Sequence, residues 1–402
     1  MTDGPFGSSL TSSHYSDEGA RVIRLGNIGA ARFKDADAAF ISMSYFRELR
    51  RHEVKAGDLL IAGLGDDRHP VGRACIAPDR LGPAIVKADC YRVRLDENQL
   101  THRFAAWALG SSTVSDQVSA STRGSTRSRI NLEVAREILL PVPPVEEQRR
   151  IADFLDAETA RIDSLDTSRS AQLNLLAERE RAMLDRSFRE ARSATRTRLK
   201  YLFSVRPRYG VLVPVFTDEG VPFIRVNDLL DLEGRADGLR NIPSELSAQY
   251  ARSVVQPGDL LMSVVGTLGR AAIAPASLAG ANIARAVCSM RFKPEVEVEL
   301  VKSWLGTSAF HKQALVATST DTAQPTLGME DLGNFALTWP SDPQERKHLV
   351  REIARIQDSM RRLSGKLERQ KSVLAERRQA LITAAVTGQI DVSTASGRGI
   401  EE

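Results

Sequence analysis

The sequence predicts an α+β protein made of two similar globular domains, each followed by a long helix. Three observations carry this. Short motifs recur in one order at an offset of about 200 residues. Each copy ends in a proline-free stretch with helical apolar spacing. The composition, 42% hydrophobic and 26% charged over 402 residues, is that of an ordinary globular chain long enough for two or three domains with their own cores.

The recurrences run colinearly. Asp17-Glu18-Gly19 returns as Asp218-Glu219-Gly220, and Ile23-Arg24-Leu25-Gly26-Asn27 as Ile224-Arg225-Val226-Asn227. Val54-Lys55-Ala56-Gly57-Asp58-Leu59-Leu60 returns as Val255-Gln256-Pro257-Gly258-Asp259-Leu260-Leu261. Ser119, Thr122, Thr126 and Leu132 are matched to Ser319, Thr322, Thr326 and Leu332, and Leu176-Ala177-Glu178-Arg179 to Leu374-Ala375-Glu376-Arg377. Chance matches would not keep this order, and the period is far too long for a solenoid, so the chain reads as two copies of one module.

Prolines 141, 143 and 144 end the first domain, and Glu146 and Glu147 sit where a helix start favours negative charge. No proline or glycine interrupts Val145 to Phe203, and Ile151, Leu155, Ile162, Leu165, Leu173, Leu176 and Met183 recur at helical spacing. In the second copy Leu349, Ile353, Ile356, Met360, Leu363, Leu367, Leu374 and Leu381 step by 4, 3, 4, 3, 4, 7 and 7. That is a heptad seam with Gln370 and Arg377 at the skipped positions, a rod of about 57 Å. Thr387-Gly388 marks its stop. One seam of this length needs a partner. Ile151 to Ser170 is acidic (Asp153, Asp156, Glu158, Asp163 and Asp166 against Arg161 and Arg169), whereas Glu345 to Leu381 carries eleven bases and five acids. Opposite signs favour pairing of the two helices without fixing their direction. The expected docking side chains are Ile151, Leu155, Ile162 and Leu176 with Ile353, Ile356, Met360, Leu363, Leu367 and Leu374.

Gly4-Pro5-Phe6-Gly7-Ser8, Ile23 to Ile28, Gly57-Asp58-Leu59-Leu60, Gly124-Ser125-Thr126-Arg127 and Pro141-Val142-Pro143-Pro144 with Glu147-Gln148 together resemble the specificity subunit of type I restriction–modification systems. So does the close of the second copy, Glu376 to Ile382 with Val386 to Asp391. The resemblance spans nearly the whole chain. It implies two target-recognition domains joined by two long antiparallel coiled-coil helices with an internal pseudo-twofold repeat. The boundaries expected on that basis are domains over 1–145 and 197–343, helices over 146–196 and 344–388, and a flexible tail over 389–402. It further implies double-stranded DNA, two modification (methyltransferase) subunits and restriction (translocase/nuclease) subunits as partners, with no membrane. S-adenosylmethionine, ATP and magnesium would be held by the partners and no cofactor by this chain. One departure stands out: the second copy has a lead-in, Arg198 to Phe203, whereas the first starts at the equivalent of about Leu202. Either the true start lies upstream or the first domain lacks a small anchoring element. The second helix also begins differently, with Trp339 to Glu345 in place of the fuller Pro-Pro-Val-Glu-Glu-Gln.

Catalytic signatures are missing. There is no phosphate-binding loop of the Gly-x-x-x-x-Gly-Lys type. Gly63-Leu64-Gly65-Asp66 lacks a dinucleotide loop's third glycine and reads as a turn, and the six histidines have no metal-ligand spacing. Asp79 with Lys87 fails as a nuclease set because Ile85 stands where an acid is needed, and Asn241-Ile242-Pro243-Ser244 does not suit amino-group methylation. Cys75, Cys90 and Cys288 read as reduced thiols of a cytoplasmic protein. No signal peptide or membrane span is visible.

A net charge of +4 permits nucleic-acid binding without demanding it. Affinity should come from Lys and Arg on phosphates and specificity from Arg, Asn, Gln and hydroxyls on base edges. Ser119 to Arg129 is the richest candidate, with Arg123, Thr126, Arg127 and Arg129. Its counterpart, Thr318 to Thr326, would work through Gln324 and Thr326, with charge from Arg270 or Arg285. Arg24, Asn27, Arg225 and Asn227 end strand-like runs and read either as structural pairs or as base readers; Gly57-Asp58 and Gly258-Asp259 read as turns before buried strands. The competing reading is an orphan or inhibitory adaptor that keeps the helices but no longer reads DNA.

Overall fold

The computed structural model describes residues 1–66, 69–121, 128–318 and 326–392. The chain forms two compact units, Met1–Arg169 with Glu368–Glu402, and Ser170–Leu367. The long helices are Val145–Glu190 and Pro343–Val386, so each unit takes part of both.

In unit 1, Leu59–Ala62 lies antiparallel between Ala74–Ile76 and Cys90–Val93. A second sheet sets Ala20–Ile23 parallel to Ala84–Val86, with Ile23 opposite Val86. All four residues of Leu59–Ala62 are buried, which explains the unbroken apolar run: both faces of the strand are covered. Unit 2 repeats the plan. Leu260–Ser263 lies between Ala271–Ile273 and Val287–Phe292, and Val221–Ile224 pairs in parallel with Asn282–Ile283.

The turn before each central strand is built identically. Gly57 and Gly258 have φ of 82° and 85°, left-handed values that a glycine adopts without a Cβ penalty. The buried Asp58 carboxylate accepts from the Lys55 N–H at 2.8 Å and from Arg94 at 2.6 and 2.8 Å. Asp259 accepts from the Gln256 N–H at 2.9 Å and from Arg291 at 2.7 Å through both guanidinium nitrogens.

The later part of the repeat has a different register from the one read in the sequence. The hairpin loop after the central strand runs from Gly63 to Gly72 in unit 1 but only from Val264 to Gly269 in unit 2, where the Ala62 N–H bonds the Arg73 carbonyl and the Ser263 N–H the Arg270 carbonyl. The Ile130 N–H then donates to the Gly63 carbonyl as the Leu327 N–H donates to that of Val264. Thr326 therefore corresponds to Arg129 rather than to Thr126, and Leu132 opens the helix that Met329 opens in the other unit. The shorter loop is the physical cause of the shift.

The long helices meet antiparallel within each unit. In unit 1 Asp163 pairs with Arg378 at 3.5 Å and Asp166 with Lys371 at 3.7 Å, and Phe104, Trp107, Ile151, Leu155, Ile382 and Val386 share one core. In unit 2 the Ser187 hydroxyl donates to Glu352 at 3.3 Å, the Ser193 N–H to Glu345 at 2.8 Å, and Leu184 and Phe188 share a core with Leu349 and Ile353. The covered stripe corrects the expected seam. Leu363 is 41% exposed, and Leu165, Gln370 and Arg377 are exposed too. The stripe instead passes through Met360, Ser364, Leu367, Lys371, Leu374, Arg378 and Leu381. Steps of three and four both keep a residue on one face of a 3.6-residue helix, so apolar spacing alone left the choice open. Lys371 and Arg378 occupy it because their stems cover apolar surface while their heads reach the acids of the first helix. Among the other docking residues named above, Ile151, Leu155, Ile162, Ile353 and Met360 are buried, and Leu176, Ile356, Leu367 and Leu374 half-buried.

The lead-in of the second copy, Arg198 to Phe203, joins two strands through the 3-10 turn Leu199–Tyr201. Ala194–Arg198 pairs antiparallel with Ala336–Pro340, and Phe203–Tyr209 extends the main sheet through Val287–Phe292. In unit 1 Leu139 is gripped by the Gln117 amide as Ala336 is by Gln313, but the segment following Leu139 has no strand partner among the described residues, and Leu139 and Val142 are exposed. Thr2 sits opposite Arg92 as Arg208 sits opposite Ser289, which moves the start of the first copy several residues beyond the expected match to Leu202. The helix starts differ as foreseen: the Gln148 amide binds the Thr101 N–H and the Gln99 and Pro143 carbonyls, whereas the Arg346 guanidinium binds Glu297 and the Pro340 and Ser341 carbonyls. No helix among the described residues is long and apolar enough to cross a membrane.

Candidate nucleic-acid interface

Each main sheet gathers several loops at one end. In unit 1 these are the segment after Thr2, the hairpin between Gly63 and Gly72, Lys87–Asp89, and Ser128–Ile130. Tight backbone contacts fix them. A Cβ on Gly4 would lie 2.1 Å from the Lys87 carbonyl carbon, and one on Gly63 would lie 2.4 Å from the Tyr91 ring. The Tyr91 hydroxyl donates to the Ile130 carbonyl at 2.5 Å, holding the base of the loop. In unit 2 the same end collects Gly210–Thr217, Val264–Gly269, Ala284–Ala286 and Thr326–Leu327, and the Tyr209 hydroxyl donates to the Leu327 carbonyl at 3.0 Å.

Of the proposed DNA-reading residues, Arg123, Thr126, Arg127 and Gln324 lie outside the described residues. Arg129 is exposed at the loop's base, paired with Asp89 at 2.8 Å and stacked over Phe6 at 5.8 Å. Thr326 bridges to Val265. Arg285 is exposed and Arg270 half-buried, and neither forms an ion pair among the described residues. Arg73, which occupies the position of Arg270, is used up by the fold: its guanidinium donates to the Ile28, Leu64, His69, Pro70 and Leu25 carbonyls at 2.8 to 3.1 Å.

Asn27 is buried; its Oδ1 accepts from the Arg24 N–H at 2.9 Å while Nδ2 donates to the Lys34 and Ala36 carbonyls. Arg24 is tied to Asp37. In unit 2 Asp228, not Asn227, accepts from the Arg225 N–H, at 2.8 Å, and it also holds the Arg225 guanidinium. Asn227 is exposed beside it. Thus Arg24, Asn27 and Arg225 close turns, while Arg129 stands at the loop end of unit 1 and Arg270, Arg285 and Thr326 stand at that of unit 2. Sequence reasoning missed Phe6, Leu212 and Val213, which project from the same ends. The signal was a glycine held against backbone followed by apolar residues, in Gly4-Pro5-Phe6 and Gly210-Val211-Leu212.

The chemistry of this surface is ionic and apolar contact. Burial pushes the Cys75 and Cys288 thiols up to about 12 and raises that of Cys90 as well, so all three stay protonated and poor as nucleophiles. Burial, and then the nearby Asp89 carboxylate, push the Asp3 carboxyl up to about 6 against the hydrogen bonds from the Gly4 and Asp89 N–H groups. Among the described residues no group of three or more His, Cys, Asp or Glu side chains is placed to hold a metal ion.

Residues 46–175 match the family described as Type I restriction modification DNA specificity domain. The specificity subunit of the Escherichia coli type I restriction enzyme EcoBI is 28% identical over 304 residues, 68% of this chain and 62% of that protein. The match thus spans less than two thirds of its relative's length. A solved chain from work titled for complex assembly and conformational transition of the type I R-M system shares the fold, with a TM-score of 0.64 and 19% identity over 92% of both chains. The crystal structure of the HsdS subunit from Thermoanaerobacter tengcongensis overlaps with a TM-score of 0.42 and 18% identity, over 92% of this chain and 91% of that one. Residues 46–175 thus match a DNA-specificity domain, and the chain shares its fold with the first of these solved chains. The chain is similar to the specificity subunits of type I systems, and residues 46–175 carry the DNA-specificity domain match.

Proposed function

We propose that this chain is the sequence-reading and assembly subunit of a type I restriction–modification complex, with one half of a bipartite DNA site read by each unit. The observation that carries the reading is the repeated loop end of the main sheet, where Arg129 stands in unit 1 and Arg270, Arg285 and Thr326 in unit 2. Two copies of one reader in a pseudo-twofold arrangement would act like a covalent dimeric repressor on a split operator, with half-sites free to differ because the loops differ. On this reading the target-recognition domains are 1–145 and 197–343, the spacers 146–196 and 344–388. The long helices pair as a coiled coil, set the gap between half-sites, and offer their outer faces to two modification subunits and the restriction subunits. S-adenosylmethionine, ATP and magnesium then belong to those partners.

The test is gel-shift binding and methylation mapping with the modification subunit from the same system. A split methylated sequence that competes for binding supports the reading. No sequence preference with that partner present rejects it in favour of an adaptor.

A further inference from the structure

The loop Gly210–Phe216 presents an apolar tip that nothing in the fold requires. Gly210 is pressed against the backbone, with room for no side chain: a Cβ would lie 1.7 Å from the Ile283 carbonyl oxygen. Val211 is buried and fixed on both sides, its N–H donating to the Ile283 carbonyl at 2.8 Å and its carbonyl accepting from the Arg285 N–H at 2.9 Å. At the other end Phe216 packs edge-on against the buried Phe223, and the Thr217 N–H donates to the Asn241 carbonyl at 3.1 Å. Between these anchors Leu212, Val213 and Val215 are 54%, 71% and 58% exposed, with Pro214 restricting the backbone. Adjacent aliphatic side chains held in water cost burial free energy and mark a contact surface. The surroundings are cationic: Arg285 is exposed next to Val211, and the Arg240 guanidinium lies 5.1 Å from the Phe216 ring centre. Unit 1 carries the same device in smaller form. Gly4 is pressed against Lys87, Pro5 is buried, and Phe6 projects 48% exposed under Arg129.

We infer that Leu212 and Val213, and Phe6 in the other unit, are apolar wedges that enter the duplex at a base step, while the flanking arginines neutralise the adjoining phosphates. This rests on the DNA-reading function proposed above. An anchored apolar tip inside a basic rim is the chemistry of side chains that unstack a step and bend the helix around the protein. The exposed Arg285 and the Arg240 guanidinium beside this tip favour an anionic occupant. The wedge also adds a kind of specificity that hydrogen bonding does not: it favours easily unstacked pyrimidine–purine steps.

The test uses the full chain with its modification subunit, on duplexes carrying the mapped site with 2-aminopurine substituted position by position. Wild type is expected to raise 2-aminopurine fluorescence at one step in each half-site. Leu212→Ser with Val213→Ser should abolish the rise in one half-site only and weaken binding roughly ten-fold, with the salt slope unchanged. Arg285→Ala should instead flatten the salt slope and keep the rise. Thermal melting of the serine variant should match wild type, because the tip supports no core. Binding without fluorescence change at any position overturns the wedge and leaves DNA reading intact. So does a serine variant that binds and unstacks normally but no longer copurifies with the modification subunit, which would make the loop a protein contact. Failure of wild type to bind any duplex overturns the DNA reading itself and the wedge with it.

Discussion

Asp58 and Asp259 illustrate how a single carboxylate can define a repeated fold. Each closes a turn whose glycine is left-handed and anchors an arginine from a neighbouring strand. Asp259→Ala would strand the Gln256 N–H and leave Arg291 unpaired, and is expected to cost about 3–5 kcal/mol by urea unfolding. Asp259→Asn, which keeps an acceptor, should cost less. Arg129 belongs to the other class of residue. Its pair with Asp89 is solvent-screened and contributes little to stability. Arg129→Ala should leave the melting temperature within about a degree or two but lower the slope of log affinity against log salt by about 0.9. Asp3 offers a pH test. Its carboxyl is raised to about 6, so it binds its proton more tightly folded than unfolded. The stabilisation is therefore present at acid pH and lost as pH rises from the ordinary aspartate range through about 6. NMR titration of the Asp3 carboxyl should give a midpoint near that value, and a midpoint near 4 would contradict it.

At the scale of elements, the long helices show what sequence can and cannot resolve. Their existence and the opposite charges of their facing surfaces were legible because length without proline and a net sign survive any local error. The covered positions were less so. Leu363 and Leu165 fit an apolar repeat on paper yet face water, while Lys371 and Arg378 lie in the stripe. Apolar residues mark a face only to within one position, and long basic side chains enter it when acids wait opposite. The expected contrast is sharp. Leu155→Asp should destabilise the protein by more than 3 kcal/mol, because it buries an unpaired charge in a fully covered site, whereas Leu363→Asp should cost under 1 kcal/mol. Comparable losses from both would mean the stripe is misplaced. The loops were the least legible element. A four-residue difference in one hairpin shifted every later equivalence, and Thr326 was paired with Thr126 because identical letters outweighed the strand register that matches it to Arg129.

For the whole molecule, duplication was the most legible feature and the half-site readers the least, since base contact depends on which side chains a sheet end projects. Phe6 and Leu212 carry no charge or hydrogen-bonding group, so a search for phosphate and base-edge contacts does not single them out. The rod proposal has its own consequence: inserting four residues, about one helical turn, into the first long helix should lengthen the gap between half-sites tolerated by the complex. An unchanged gap preference would dismiss the helices as spacers. The most direct test of two linked readers is to map chromosomal methylation in cells carrying this chain and its modification subunit, first with wild type and then with the loops at one sheet end exchanged for those of a divergent relative. The expected result is a split motif in which one half changes while the other half and the gap stay fixed. A contiguous motif, or a change in both halves at once, would contradict it.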